Sequence, residues 1–581
     1  MSRPRPTATV AVVGATDSIV ERLVRAVERE RGIRFVGRSN VGDEESVFVS
    51  WRKLHADARA VAAGLAARGV SPGDHVAILG PTSRALITAI QGCWLAGAAS
   101  MVLPLPMRMG SIEVFVESTR ARIIHGDAAL LLIDDALADF YEPVAGDPPT
   151  VRLAEVASGA PGAPGADDYE RPDDDPERLV ILQYTSGSTS EPKGVMIPDR
   201  VLRANIDALS EAAGLREDEV VVSWLPLYHD MGLVGLLGTA MVSGADIVQA
   251  APQDFLAHPG NWMEWISRWG GTATAGPNFS WVLATRALGR AAPELDLSTL
   301  SLALSGAEPV DPDAVEAFVA AAGRFGFDPA GVFPAFGMAE LAIAGTFPAR
   351  GQGLVCDTVD RVVLERDRVA KPIDVIDRDE YGVSARRLAL LGRPVPGLEM
   401  RIVEPGTSEL LPERHVGELV IRGTSVTPGY YHRPEATAEL FRDGWLCTGD
   451  LAYLLDEQLV LCGRIKDVII VGGRNVFPED IERAVGVIDG VRAGNVIAFG
   501  MEGYKGKESV VVVAETKQSS DDEAALDVIR HAIHHRTLEV CGIPPRDVIL
   551  VRASTLPKTS SGKLQRSRCR ELYLEEELEL V

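Results

Sequence analysis

Cysteine is scarce: Cys93, Cys356, Cys447, Cys462, Cys541 and Cys569 are the only six in 581 residues, with no CxxC pair. That argues against a disulfide framework and against a Cys/His zinc site. Positive charge is also short, with 58 Lys and Arg against 82 Asp and Glu, a formal net charge of −24. A chain this acidic repels nucleic acid and anionic membrane surfaces, so an anionic substrate has to be met by a local basic patch. The N-terminal stretch MSRPRPTATVAVVGATDS has only a short apolar run, interrupted by Gly14 and followed by Asp17. It makes a poor signal peptide, and a cytoplasmic location is expected. One uncharged stretch, Ala85–Met107, is long enough to span a bilayer, but it carries Thr88, Gln91, Gly92, Gly97, Ser100 and Pro104. We read it as a buried helix, Ala85–Ala96, turning at Gly97 into a strand, Ser100–Leu103.

What remains is an ordinary globular composition, 46% hydrophobic and 24% charged, in a chain long enough for more than one domain. Apolar runs and helical spacings alternate. A strand at Ala8–Val13 leads to a helix through Arg22–Arg31 and a strand at Phe35–Val36. A helix over Trp51–Gly69 and a strand at His75–Leu79 follow, and the pattern repeats to Leu130–Ile133. This is α/β layering, most simply a mostly parallel sheet covered by helices. Residues 157–177, rich in Pro, Gly and Asp, are expected to be an exposed loop.

The central motif is QYTSGSTSEPKGV, Gln183–Val195, directly after the apolar run Leu179–Leu182. Small residues leave backbone N–H groups free to converge on an anion. Hydroxyls of Thr185, Ser186, Ser188 and Thr189 add donors around Gly187, and Lys193 adds a mobile charge. The Walker order GxxxxGK[ST] is absent, and Gly472-Gly473-Arg474 lacks the rest of a dinucleotide fingerprint. Further strands end in small-residue turns: Val220–Leu225 before Pro226-Leu227-Tyr228-His229-Asp230, Gly271–Ala275 before Gly276-Pro277-Asn278-Phe279, Leu302–Leu304 before Ser305-Gly306-Ala307-Glu308-Pro309, and Val332–Ala335 before Phe336-Gly337-Met338-Ala339-Glu340. Strand ends are where open α/β sheets bind ligands. Small residues admit a flat base, Phe336 can stack on it, and Glu340 can hold a hydrated Mg²⁺.

The motifs continue with GWLCTGDL (Gly444–Leu451), GRIKD (Gly463–Asp467) and PKTSSGK (Pro557–Lys563). In this order they resemble the adenylate-forming superfamily of acyl-CoA synthetases, peptide-synthetase adenylation domains and luciferases, over about residues 50–570. SWLPLYHDMGL (Ser223–Leu233), the long segment between Glu340 and Gly392-Arg393-Pro394, and DTVDRVVL (Asp357–Leu364) look most like the fatty acyl-AMP ligases. Ser190, Phe336 and Met338 depart from common family residues.

The resemblance implies an α/β fold: a large N-terminal domain of layered sheets and helices, residues 1–464, with an insertion within 341–391, and a small, mobile α+β C-terminal domain, residues 465–581. It implies ATP and Mg²⁺ as cofactors, a fatty acid as substrate, and an acyl carrier protein or a carrier domain of a polyketide or peptide synthase as partner. No nucleic acid and no membrane span are expected. Lys563, Lys193, Glu340 and His229 would be catalytic. Thr185–Thr189, Gly306, Ala307, Glu308, Phe336, Gly337, Asp450 and Arg464 would hold the nucleotide, Thr185 and Glu340 the metal, and Lys466 would be the hinge. Trp224, Asn278 and Phe279, with the glycine-spaced helix Met231–Met241, would flank the acyl chain. Lys563, Arg566, Arg568 and Arg570 offer a positive patch to an acidic carrier. The insertion is understood in those ligases to hinder the rotation that forms acyl-CoA. A long-chain acyl-CoA synthetase, or a non-catalytic acyl-adenylate-binding protein, are the alternatives.

Overall fold

The computed structural model describes residues 17–106, 112–156, 162, 164–184, 193–373, 385–471, 473–502, 508–519, 522–559 and 562–581. Short β-branched and aliphatic runs build two open sheets. One has seven strands in the order Val332–Pro334, Leu302–Ser305, Ala273–Gly276, Val220–Ser223, Asp246–Gln249, Gly32–Phe35 and Val47–Ser50. All its pairings are parallel except that of the last edge strand. The other has six, in the order Thr150–Arg152, Ala128–Ile133, His75–Leu79, Ala99–Val102, Leu179–Tyr184 and Gly194–Pro198, with only the final pairing antiparallel. Helices fill the space between and around the sheets, which is the α/β layering expected.

The uncharged stretch forms a helix, Arg84–Leu95, capped by Ser83, whose hydroxyl accepts from Leu86 N at 3.2 Å. Gly97, at φ +71°, turns the chain into the strand Ala99–Val102, which is buried throughout. No helix among the described residues is long and apolar enough to cross a membrane. The expected helix Met231–Met241 divides into a π-helical stretch, Met231–Gly238, and an α-helix, Thr239–Ser243. Glycines permit the wider turn: a Cβ at Gly232 would stand 2.4 Å from the Pro226 carbonyl oxygen. The expected strand Ala8–Val13 lies outside the described residues.

An antiparallel sheet follows, Leu398–Val403, Gly417–Gly423, Trp445–Leu455 and Phe441–Arg442, with Gln458–Arg464 paired to Trp445–Leu455. The last part of the chain surrounds a three-stranded sheet, Val491–Glu502, Glu508–Thr516 and Asp547–Arg552, with helices Pro478–Gly486, Glu523–Cys541 and Arg566–Leu574. Its apolar side chains form two clusters of their own on opposite faces of that sheet. Arg474–Val476 pairs as a strand with Ile469–Val471.

Candidate active site

The parallel strands of the seven-stranded sheet deliver their carboxyl ends to one cavity of about 1890 Å³. Two turns there are tied to each other. Asn278 N donates to Glu308 Oε1 at 2.8 Å, Asn278 Nδ2 donates to the Pro309 carbonyl at 2.8 Å, and Asp311 N donates to Asn278 Oδ1 at 3.0 Å. Asn278 therefore lines the cavity as expected, but its amide fastens two loops together. Ala307 sits at φ +72°, a left-handed conformation that costs a residue with a Cβ roughly 1–2 kcal/mol. Gly337 is obligatory, because a Cβ there would stand 2.1 Å from the Ile343 carbonyl oxygen. Phe336 lies beside it, its ring buried at the cavity wall against Gly345.

Glu340, Asp450, Glu308 and Asp230 are among the carboxylates that line this space. Glu340, 9% exposed, accepts from the Tyr430 hydroxyl at 2.7 Å. Asp450, 3% exposed, accepts from Arg464 Nε at 2.9 Å, across a pair of strands whose register sets the two residues opposite each other. Burial pushes the Glu340, Asp450 and Glu308 carboxyls above the usual carboxylate range, and the cations beside them only partly offset it. Asp230 goes the other way: burial raises it, but the His229 and Lys563 charges and the hydrogen bonds around it bring the carboxyl below its ordinary value. His229 Nδ1 lies 2.6 Å from Asp230 Oδ1, which also accepts from Met231 N at 2.8 Å and so caps the π-helical stretch.

Cations enter from two directions. Lys193 Nζ stands 5.2 Å from the centroid of the Tyr430 ring, which links it through that tyrosine to Glu340. Lys563 arrives on a tight loop from the far end of the chain. Thr559 N donates to the Lys563 carbonyl at 2.7 Å, Lys563 N donates to Thr559 Oγ1 at 3.1 Å, and Gly562 at φ +88° closes the turn. A Cβ at Gly562 would lie 3.7 Å from Phe279 Cε1, so Gly562 rests beside that ring. Burial lowers the Lys563 ammonium below the ordinary lysine value, while Asp230, Glu308 and Asp450 hold it up. Lys466 sits in a single turn, Ile465–Asp467, just beyond Arg464, and burial likewise lowers it.

The apolar wall carries the expected aromatics. Trp224 stacks on Phe255 with centroids 3.8 Å apart and meets the edge of Phe279 at 6.1 Å. Such pairs contribute about 0.5–1.5 kcal/mol each beyond their area.

The structure thus brings Lys193, His229, Glu340 and Lys563 to one cavity with Gly306, Ala307, Glu308, Phe336, Gly337, Asp450, Arg464, Lys466, Trp224, Asn278 and Phe279. Thr185, Ser186, Gly187, Ser188 and Thr189 lie outside the described residues, as does Ser190. Tyr430 and Asp230 were missed as site residues. Asp230 stood within the Ser223–Leu233 motif, and Tyr430 follows Pro428-Gly429, a turn signal that points to no chemistry by itself. Of the expected positive patch, two members are already paired with carboxylates. Arg566 is spent on Asp467 at 2.8 Å, Glu479 at 2.9 Å and Glu482 at 2.7 Å, and Arg568 pairs with Glu571 at 3.0 Å. Acidic residues of the same region neutralise them, as a chain so rich in carboxylates favours.

The arrangement suits a polyanion and a carboxylate: cations at two approaches, buried carboxylates that favour a cation or hydroxyl partner, and an apolar annex. Glu340 keeps one oxygen beyond its bond to Tyr430. A single carboxylate of that kind fits Mg²⁺, which takes one or two carboxylates and completes its shell with water and substrate phosphate.

Comparison with known proteins gives the same direction. The family model described as AMP-binding enzyme matches residues 25–431. The medium-chain-fatty-acid–[acyl-carrier-protein] ligase JamA of Moorena producens is 32% identical over 92% of this chain and 91% of its own length. The long-chain-fatty-acid–AMP ligase FadD32 of Mycolicibacterium smegmatis is 30% identical, covering 96% of this chain and 94% of its own. A structure from a study of fatty acyl-adenylate ligases of E. coli and L. pneumophila superposes with a TM-score of 0.88 at 28% identity, covering 98% of this chain and 99% of that one.

Proposed function

We propose, from the premise that this chain belongs to the AMP-binding enzyme family, that it joins a fatty acid to ATP as acyl-AMP, releasing pyrophosphate, and passes the acyl group to a carrier protein. The observation that carries this reading is the single cavity holding Lys563, Glu340 and Asp450 at one end and an apolar annex at the other.

A fatty acid carboxylate, with a pKa near that of Glu, about 4.3, is already an ionised nucleophile at neutral pH. It needs no general base. It needs its charge neutralised as it approaches a triphosphate, so positioning and electrostatics supply most of the acceleration. Lys563, held at the Phe279 end of the cavity, is the cation for the attacking carboxylate and the α-phosphate. Lys193 answers the outer phosphates with the 185–189 loop. Asp450, oriented by Arg464, takes the ribose hydroxyls, and Phe336 offers a face to the base beside Gly306, Ala307 and Glu308. Glu340, steadied by the Tyr430 hydroxyl, would hold Mg²⁺ together with Thr185. When bound, that ion neutralises phosphate charge.

Delivery to a carrier rather than to CoA agrees with how the 341–391 segment grips the end of the chain. Within it the strands Cys356–Asp360 and Ala385–Ala389 pair, and the helix Arg361–Asp367 follows the first. Arg386, 4% exposed, donates to Asp480 at 3.0 Å and to the Cys462 carbonyl at 2.8 Å. Glu365, 1% exposed, accepts from Arg474. Two ion pairs so buried resist separation, because opening either leaves a charge out of water without its partner. In this reading residues 465–581 are a domain that turns about Lys466, and the segment restrains the turn.

The test is a radiolabelled-ATP assay with medium- and long-chain fatty acids and Mg²⁺, run alone, with CoA, and with a phosphopantetheinylated carrier protein. Acyl-AMP that the carrier discharges and CoA does not is the expected result. Efficient conversion to acyl-CoA would overturn the carrier assignment, and absence of any acyl-AMP would overturn the whole reading.

A further inference from the structure

Lys563 is carried on a hairpin whose two arms are paired. Gln565 N donates to the Pro557 carbonyl at 2.9 Å, Lys558 and Leu564 form an antiparallel bridge, and Thr559 N donates to the Lys563 carbonyl at 2.7 Å. Leu556 and Leu564 pack with Cys569 in the apolar cluster on one face of the three-stranded sheet, beside Phe499 and Val551. The helix Arg566–Leu574 starts at the root of this hairpin, so Arg566 follows Lys563 by only three residues.

Arg566 ties that root to the turn where the chain enters its last domain. Its Nη1 donates to Asp467 Oδ2 at 2.8 Å, and Asp467 directly follows Lys466 in the single turn Ile465–Asp467. The rest of the guanidinium forks onto the helix Pro478–Gly486. Nε donates to Glu482 Oε1 at 2.8 Å and Nη2 to Glu482 Oε2 at 2.7 Å, while Nη2 also stands 2.9 Å from Glu479 Oε1. Glu482 Oε1 accepts in addition from Ala498 N at 3.0 Å, which fixes the carboxylate to the sheet. All four side chains are less than one-fifth exposed. A buried ion pair is weak support for stability, and one cation facing three carboxylates leaves the charge unbalanced. What the cluster supplies is geometry: a planar guanidinium with donors on both edges holds its partners at set angles, which an ammonium does not.

We propose that Arg566 is the positioning residue of Lys563: by fastening the root of the lysine hairpin to Asp467, it makes the seating of the chain at the Lys466 turn set the aim of the ammonium. This rests on the reading of the protein as a fatty acid adenylating enzyme in which Lys563 meets the attacking carboxylate. Lys563 enters a cavity whose other walls come from residues far upstream, Asp230, Phe279, Glu308 and Glu340 among them. Its aim therefore depends on how the last domain is held, and not on its own loop alone. A group that neutralises charge between two reacting anions has to be placed closely, and a misplacement of about 1 Å costs on the order of 10²-fold in rate.

Asp467 supplies an independent handle. Asp467→Ala cuts the link to the turn and leaves Arg566 forked on Glu482 and paired with Glu479. The hairpin keeps its apolar seat at Leu556, Leu564 and Cys569, so the domain stays folded while the aim is lost.

The experiment is a double-mutant cycle on acyl-AMP formation from labelled ATP and dodecanoate with Mg²⁺, comparing the wild type, Asp467→Ala, Lys563→Ala and the pair, with Arg566→Lys alongside and thermal midpoints of all five. Asp467→Ala is expected to lower kcat by on the order of 10²-fold with KM for ATP little changed and the midpoint near that of the wild type. In the Lys563→Ala background the same substitution should cost nothing further, because the residue it acts through is gone. Arg566→Lys, which keeps the charge without the fork, should fall between the wild type and Asp467→Ala. Equal losses from Asp467→Ala in both backgrounds, or full activity in either Asp467→Ala or Arg566→Lys, would overturn the positioning role while leaving the adenylation reading intact. No acyl-AMP from the wild type would overturn that reading and the positioning role with it.

Discussion

The two ends of the cavity are built by different means. The polar end is made of turns, where the chain leaves its strands: Asn278 ties two of them, Ala307 is held at φ +72°, and Gly337 admits no side chain. The apolar end is made of the strands themselves, with Ala273, Leu302 and Phe333 in regular parallel pairing. Chemistry is therefore set on strained, individually irreplaceable positions. Binding of the hydrocarbon is set on a surface where size alone matters, and where stability and function ask for the same residues.

The contrast breaks most sharply at Lys563. Lys563→Ala removes the cation for the attacking carboxylate and should lower acyl-AMP formation by on the order of 10²–10³, with ATP binding largely kept, as equilibrium binding of labelled ATP and single-turnover rates would measure. No substitution in the apolar annex should approach that loss for a chain short enough to fit. The same residue gives a pH signature. Burial lowers its ammonium below 10.5, and the working form is protonated, so activity should fall as pH rises through that lowered value. Lys563→Arg should carry the alkaline limb to higher pH, since arginine stays charged there. An alkaline limb that does not move would separate it from Lys563.

A smaller effect is expected at Tyr430. Its hydroxyl donates to Glu340 at 2.7 Å and its ring faces Lys193. Tyr430→Phe keeps the ring and removes the hydrogen bond to a charged group, a loss of about 1.5–3 kcal/mol if fully expressed. Activity should fall roughly tenfold or more, with a raised requirement for Mg²⁺ seen in a metal titration. An unchanged metal dependence would place Tyr430 in the wall and not in the support of Glu340.

The same division explains what the sequence made legible. Lys193, Glu340, Asp450, Arg464 and Lys563 stood out because turns at strand ends need particular residue types, and their order along the chain resembles one superfamily. The α/β layering was readable from alternating periods, and the helix and strand on either side of Gly97 were placed within a residue or two. The apolar annex was not readable, since Ala273, Leu302 and Leu304 look like any core strand until their partners are known. The π-helical stretch was read as ordinary helix because glycine-spaced apolar residues satisfy both. Arg566 looked like surface charge because its three acidic partners lie 84 to 99 positions upstream.

The smallest effect sharpens the comparison best, because one substitution changes sign between the two ends. At Ala307 the left-handed backbone costs roughly 1–2 kcal/mol, which glycine does not incur. Glycine's greater freedom in the unfolded chain gives back about 0.5–1 kcal/mol. Ala307→Gly should therefore stabilise the protein by about 0.5–1 kcal/mol. At Ala275, in a regular strand and 1% exposed, nothing is strained. Glycine there loses a buried methyl, worth about 0.8 kcal/mol, and adds its entropic cost, so Ala275→Gly should destabilise by about 1.5 kcal/mol. Urea midpoints at constant slope would measure both. Two destabilised variants would mean that the Ala307 turn is held without strain, and the polar end would then be built no differently from the sheet it stands on.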